Sequence, residues 1–233
     1  MREALAGGGL LELFVHDPDR HLALVTTADQ AGAVVTEVSA PVLAAMCETV
    51  TPQGVVGLAP LVDVPLEAAL GEAPRLLAVL DQVRDPGNAG TVVRVADAAG
   101  ADAVIFTAGS VDPHNGKCVR ATAGSLWHLP VVSGATLDDT IAAVRGTGLA
   151  VLAATGRGAE DLDALAESGA LRGPAAWLFG TEADGLGGAA LEAADRTVRI
   201  PLHGRAESLN LATAAAICLY SSAREQRRSH PAP

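Results

Sequence analysis

Three segments of the chain place polar side chains where a purely structural turn would need only glycine and proline. The first is Asp85-Pro86-Gly87-Asn88-Ala89-Gly90-Thr91-Val92-Val93-Arg94. The second is Phe179-Gly180-Thr181-Glu182-Ala183-Asp184-Gly185-Leu186. The third is Ile200-Pro201-Leu202-His203-Gly204-Arg205-Ala206-Glu207-Ser208-Leu209-Asn210. Each polar residue also has a plain structural use. Asn88 suits the cap of a helix near Gly90, Ser208 is a common N-cap, and Glu182 suits a solvated loop. Ile200 and Leu209 would serve equally as core.

Better-known site chemistries match poorly. The nearest dinucleotide fingerprint, Thr155-Gly156-Arg157-Gly158-Ala159-Glu160-Asp161, has Asp where its third glycine belongs. Gly116-Lys117 is followed by Cys118 and lacks the upstream glycine of a phosphate-cradling loop. No HExxH, no G-x-S-x-G and no Cys/His cluster occurs, so no metal is expected. Cys47, Cys118 and Cys218 have neither metal-ligand nor redox spacing and read as buried free thiols of a reducing cytoplasm.

The elements that must position these segments alternate along the chain. The N-terminal part reads as a helix over 1–8, strands at Leu13–Val15, Leu22–Val25 and Val34–Val38, a helix from Ser39, and a strand at Val55–Ala59. Pro60–Pro74, with three prolines and three carboxylates, reads as a linker. From Leu76 onward, apolar strands alternate with helices. Strands fall at Leu76–Leu80, Ala103–Phe106, Val131–Val132, Leu149–Ala154, Ala176–Phe179 and Val198–Ile200. Asp85-Pro86-Gly87-Asn88 reads as a turn before a helix at Gly90–Ala99, and a last helix runs from about Ser208 to Arg228. Strands apolar throughout and separated by helices imply an α/β fold, a parallel sheet with helices on both faces.

The three segments, in this order, resemble the three sequence motifs of the SpoU/TrmH-type branch of the SPOUT methyltransferases. These enzymes move a methyl group from S-adenosylmethionine to a ribose 2′-hydroxyl in RNA. The stretch Asp112-Pro113-His114-Asn115-Gly116-Lys117-Cys118-Val119-Arg120-Ala121-Thr122-Ala123-Gly124-Ser125 resembles the family's segment between motifs one and two. Around Thr51-Pro52-Gln53-Gly54-Val55-Val56-Gly57, residues 1–60 resemble the small L30e-like substrate-binding domain of the ribosomal-RNA members. That module lacks the family's usual first strand and so is expected to be truncated at its N-terminus. The resemblance implies a domain at 1–72 and a SPOUT domain at 73–233 whose C-terminal segment forms a trefoil knot, an exception to the rule against threading.

The resemblance also assigns roles. Arg94 is the catalytic arginine, six residues after Asn88. A guanidinium stays protonated up to a pKa above about 12, so Arg94 suits phosphate holding and alkoxide stabilisation better than base chemistry. Asn88, Glu182, Ser208 and Asn210 would orient it and the ribose. Gly180, Ile200, Leu202 and Leu209, with Thr155, would line the S-adenosylmethionine pocket. Lys117, Arg120 and Arg205, with Arg157 and His203, would meet RNA phosphates. The family resemblance further implies a homodimer, ribosomal RNA as substrate with transfer RNA as the alternative, and no membrane partner. A non-catalytic RNA scaffold on the same fold and a base- or small-molecule-modifying enzyme are the competing readings.

Composition constrains this reading. Of 233 residues, 49% are hydrophobic but only 3% aromatic, enough for a core of closely packed Ala, Val, Leu and Gly and too apolar for a disordered chain. The net charge of −11 argues against nucleic acid at first sight, because phosphate binding needs a basic footprint. The charge is unevenly spread. Residues 1–72 hold ten acidic and two basic side chains, whereas 73–233 hold seventeen and fourteen. The second part therefore keeps the basic side chains that a local phosphate channel needs. No apolar run reaches the 18 or so residues of a membrane span, which fits a cytoplasmic protein.

Overall fold

The computed structural model describes residues 1–7, 9–47, 49–181 and 183–229. The chain forms two compact units, Met1–Val62 and Asp63–Pro233.

The first unit runs α1 (Arg2–Ala6), β1 (Glu12–Val15), α2 (Leu22–Gln30), β2 (Val34–Glu37), α3 (Ala40–Met46) and β3 (Val55–Leu58). Its sheet has the order β2-β1-β3, with β2 parallel and β3 antiparallel to β1. Leu5, Leu10, Leu13, Ala28 and Ala33 form its core. The expected strand at Leu22–Val25 is instead the first turn of α2. Leu24, Val25 and Ala28 pack on that core at helical spacing, while Leu22 is left exposed. A four-residue apolar run carries no period to tell the two apart.

The second unit begins ten residues before the expected boundary. The stretch 60–74, expected as a linker, contains α4 (Leu66–Leu70), and Leu66, Ala69 and Leu70 are buried in the second unit's core. Asp63 forms a parallel bridge to Val131. Burial of three apolar side chains at about 1.5–3 kcal/mol for each large one outweighs the turn tendency of the flanking prolines.

There follow β4 (Leu76–Leu80), α5 (Pro86–Ala99), β5 (Ala103–Thr107), α6 (Gly116–Ala121), β6 (Val131–Ala135), α7 (Leu137–Gly146) and β7 (Ala150–Ala154). The unit closes with β8 (Glu160–Asp161), α8 (Leu162–Glu167), β9 (Ala175–Phe179), α9 (Gly188–Glu192), β10 (Arg196–Arg199) and α10 (Leu211–Ser229). All seven strands are parallel, in the order β6-β5-β4-β9-β7-β10-β8. On one face, Leu77, Val79, Ile105, Val151 and Leu178 pack with α4, α7 and α9. On the other, Trp177 stacks on Phe179 and donates its indole N–H to Ser222 Oγ of α10 at 2.9 Å. With both faces covered, the strands can be apolar at every position, and β4, β5 and β9 are fully buried.

Of the three thiols, Cys118 and Cys218 are buried as expected, and Cys47 is half-buried. Desolvation pushes the Cys118 thiol up to about 12, so it stays protonated at neutral pH. Among the described residues, no helix is long and apolar enough to cross a membrane, and no group of His, Cys, Asp or Glu is placed to hold a metal.

Candidate functional site

Asp85-Pro86-Gly87-Asn88 is not a free turn but the opening of α5. Asp85 has extended dihedrals and caps the helix, its Oδ1 accepting the Asn88 N–H at 2.7 Å, while Pro86 occupies the first helical position. The cap therefore belongs to Asp85, and the Asn88 side chain is left for another use. Its Oδ1 accepts from Asn210 Nδ2 at 2.9 Å, across 122 residues of chain. Asn210 in turn caps α10, its Oδ1 accepting the N–H of Ala212 at 2.9 Å and of Thr213 at 3.3 Å. The start of α10 thus falls at Asn210 and not at Ser208, which lies exposed in the 201–210 loop. Ser and Asn are comparable caps, and here Asn wins because the same amide can bond Ala212 and Asn88 together.

Asp85 was legible in the sequence as Asp before Pro, a helix-start signal, yet it was not among the candidate residues. It holds the first segment in place. Its second oxygen accepts from Lys117 Nζ at 3.0 Å, and Lys117 opens α6 behind the Asn115 cap. Alpha-helices α5 and α6 meet so closely that a Cβ on Gly90 would overlap the Cys118 carbonyl. Lys117 is therefore engaged with Asp85, although the side chain is still 58% exposed. The Asn88 N–H, then Lys117, hold the Asp85 carboxyl below the usual carboxylate range. A lowered carboxyl stabilises the fold above the ordinary pKa near 4, and that contribution is lost as pH falls through the lowered value. In Lys117→Ala the Asp85 titration moves up, so the stability that this carboxyl contributes at neutral pH and loses in acid becomes smaller. Carbon-13 NMR of the Asp85 carboxyl reads this directly, and an unchanged titration would contradict the pairing.

Arg94 lies on α5 six residues after Asn88, about 9 Å further along the axis. Its side chain is exposed, and no described residue hydrogen-bonds or ion-pairs with it. Asp97, three residues further along α5, is engaged instead with His128 Nδ1 at 2.7 Å. Glu182 lies outside the described residues.

Thr155, Gly180 and Ile200 each follow directly on β7, β9 and β10, three neighbouring parallel strands, and so share the sheet's C-terminal edge. Binding at that edge is the general rule of open parallel sheets. The Thr155 N–H donates to Val198 O at 2.9 Å. Beyond Gly180 the chain turns back on itself, with Thr181 and Gly185 exchanging both backbone bonds at 3.0 Å. A Cβ at Gly180 would overlap the backbone of Gly185 and Leu186, so only glycine fits. Ile200 and Leu209 are half-buried and Leu202 is 40% exposed. Arg120, Arg157, His203 and Arg205 are exposed.

A covered parallel sheet with its polar segments gathered at the strand C-termini defines an α/β enzyme-type domain, and comparison with known proteins gives the family. The chain belongs to the SpoU rRNA Methylase family, whose model matches residues 75–220; residues 2–62 match the model for RNA 2'-O ribose methyltransferase substrate binding. It is 34% identical over 221 residues to the 23S rRNA (guanosine(2553)-2'-O)-methyltransferase RlmP of Bacillus subtilis (strain 168), covering 94% of this chain and 84% of that one. Among solved structures, an AdoMet-bound rRNA methyltransferase from Sinorhizobium meliloti superposes with a TM-score of 0.82 and 33% identity, covering 99% of this chain and 85% of that one. The SpoU methyltransferase AviRb from Streptomyces viridochromogenes, in complex with AdoMet, gives 0.82 and 28%, covering 98% and 87%. The family resemblance read from the three segments is thereby borne out.

Proposed function

We propose that the protein transfers a methyl group from S-adenosylmethionine to a ribose 2′-hydroxyl of ribosomal RNA. The observation that carries this reading is the Asn210–Asn88 bond, which joins the first and third polar segments at the mouths of α5 and α10 in a SpoU-family chain. The similarity to RlmP across nearly the whole chain supports ribosomal over transfer RNA.

The residues present fit the cofactor. Gly180 leaves a cradle that any side chain would fill, and Ile200, Leu202 and Leu209 keep apolar surface open at the same strand edge, as an adenine ring requires. These four, with Thr155, would hold it. When bound, it supplies an electrophilic methyl group on a sulfonium. Everything else falls to the chain. Displacement in line depends on positioning, and Asn88 and Asn210 would fix the ribose. Arg94, exposed and unpaired among the described residues, would hold the target phosphate and stabilise the forming alkoxide, the proton passing to water or a phosphate. Ser208 and Glu182 would orient the guanidinium. Arg120 and Arg205 would take further phosphates, whereas Lys117 meets them only with the face not turned to Asp85.

The reading extends to a homodimer working in the cytoplasm, an L30e-like first domain and a trefoil knot at the C-terminal end of the second. The knot is supported by β9 lying between β4 and β7, and by the close return of the chain over Gly180. Incubation of the purified protein with methyl-labelled S-adenosylmethionine and a Bacillus subtilis 23S ribosomal RNA transcript, then nuclease digestion and mass spectrometry, tests the proposal. The expected product is a 2′-O-methylated nucleoside. A methyl group on a base, or no incorporation, overturns it.

A further inference from the structure

The second unit holds twenty acidic and fourteen basic side chains, yet five of the fourteen gather in one place. Arg75 precedes β4, Arg172 lies just before β9, and Arg224, Arg227 and Arg228 stand on the last turns of α10. This is the N-terminal edge of the sheet. It lies a full strand length, about 17 Å, from the edge that carries Thr155, Gly180 and Ile200.

The cluster is built, not loose. Glu225, with its side chain only 2% exposed, sits beneath it, 2.9 Å from Arg228, 3.6 Å from Arg224 and 3.7 Å from Arg172. The Arg75 guanidinium donates to Arg172 O at 3.3 Å and that of Arg227 to Ala99 O at 3.1 Å. Gln226 ties the helix to the carbonyls of Arg75 and Gly173, both at 3.0 Å. Asp102, at the same edge, accepts the backbone N–H groups of Arg75 and Leu76. Carbonyl partners fix a guanidinium without cancelling its charge, and the one buried carboxylate neutralises a single charge of the five. The outer side of the cluster is left cationic: Arg172, Arg224 and Arg228 keep 55%, 63% and 66% of their side chains exposed. Half-exposed Tyr220 stands one turn before Arg224 on the same helix face. Holding like charges together opposes folding of this edge, and a polyanion laid across it relieves the repulsion.

We propose that this arginine cluster is an RNA-docking surface, taking the sugar–phosphate backbone of a substrate segment remote from the methylated nucleotide. The inference rests on an RNA substrate but not on turnover. Binding works through charge and carries no sequence readout.

The test is equilibrium binding of the full chain to the 23S ribosomal RNA transcript over a salt series, comparing wild type with Arg172→Gln/Arg224→Gln. That pair keeps the close Arg228–Glu225 contact, so the fold survives, and circular dichroism with a thermal melt checks it. A single Arg224→Glu variant repeats the test should the pair unfold. The expected result is at least tenfold weaker binding at moderate salt, with the slope of log K against log salt reduced by about 1.5, and with S-adenosylmethionine affinity unchanged. Unchanged RNA affinity and slope overturn the inference, as does a change in self-association with RNA affinity intact. A wild type that binds RNA at this cluster but transfers no methyl would overturn the proposed activity and leave the docking surface standing.

Discussion

Arg94→Ala is expected to lower methyl transfer by a factor of 10² to 10³ or more, while the fold and the affinity for S-adenosylmethionine stay as they were. The exposed side chain has no hydrogen bond or ion pair with a described residue, so no helix cap or polar pairing depends on it. The thermal midpoint should shift by no more than the degree or two that a neutral surface substitution gives. Its position assigns the loss to chemistry instead. Developing negative charge on the ribose oxygen has no other free cation on α5, and removal of one preorganised donor to such a charge lowers turnover by about 10²–10³. Arg94→Lys should recover little, because an ammonium cannot offer the planar pair of donors that spans a phosphate and the neighbouring oxygen. Single-turnover kinetics with saturating RNA and cofactor separate the step from binding. Activity within threefold of wild type would remove Arg94 from the reacting centre and favour the RNA-scaffold reading of the same fold.

How much of this was legible in the sequence depended on the length scale of the signal. The continuous apolar run Leu76–Leu80 named its strand to the residue, because burial on both faces leaves no polar position to blur the ends. The longer alternation of apolar strands with helices from Leu76 onward was equally plain. Short apolar runs were not. Leu22–Val25 and Leu66–Leu70 both became helices, since four or five residues contain too little periodicity and the prolines around α4 mimic a linker. The site divided in the same way. Local partnerships are written in dipeptides, so Asp85-Pro86 announces a helix start even though it first reads as a turn. The bond from Asn210 to Asn88 crosses most of the second unit, and spacing could not reveal it. Only the resemblance put the two residues in one site. Whole-chain charge misled for a related reason. A net value of −11 averages away both the acidic first unit and the arginines collected at one sheet edge.

Gly180→Ala should give the largest effect on cofactor binding. The loop from Thr181 to Gly185 is closed by its two reciprocal backbone bonds and by the Asp184 N–H donating to Thr181 Oγ1 at 3.1 Å. Its backbone returns across Gly180, so the added methyl group overlaps main-chain atoms, which, unlike a side chain, have no rotamer to escape into. Two responses are available. Either the loop lifts and breaks the Thr181–Gly185 pair, or β9 shifts at its buried end beside Phe179. Displacing β9 would disturb Trp177, Leu178 and Phe179, all within the packed centre of the sheet, so the loop gives way first. Overpacking of this kind destabilises by about 1–3 kcal/mol, and at about 2–4 °C per kcal/mol the melting temperature should fall by several degrees. The lifted loop no longer shapes the strand-end cradle, so the dissociation constant for S-adenosylmethionine should rise at least a hundredfold, while RNA binding, which depends on other surfaces, persists. Isothermal titration of the cofactor alongside a salt-series RNA titration tests both halves. If the cofactor still binds within threefold of wild type, the cradle at Gly180 is structural and the adenine lies elsewhere along the strand edge.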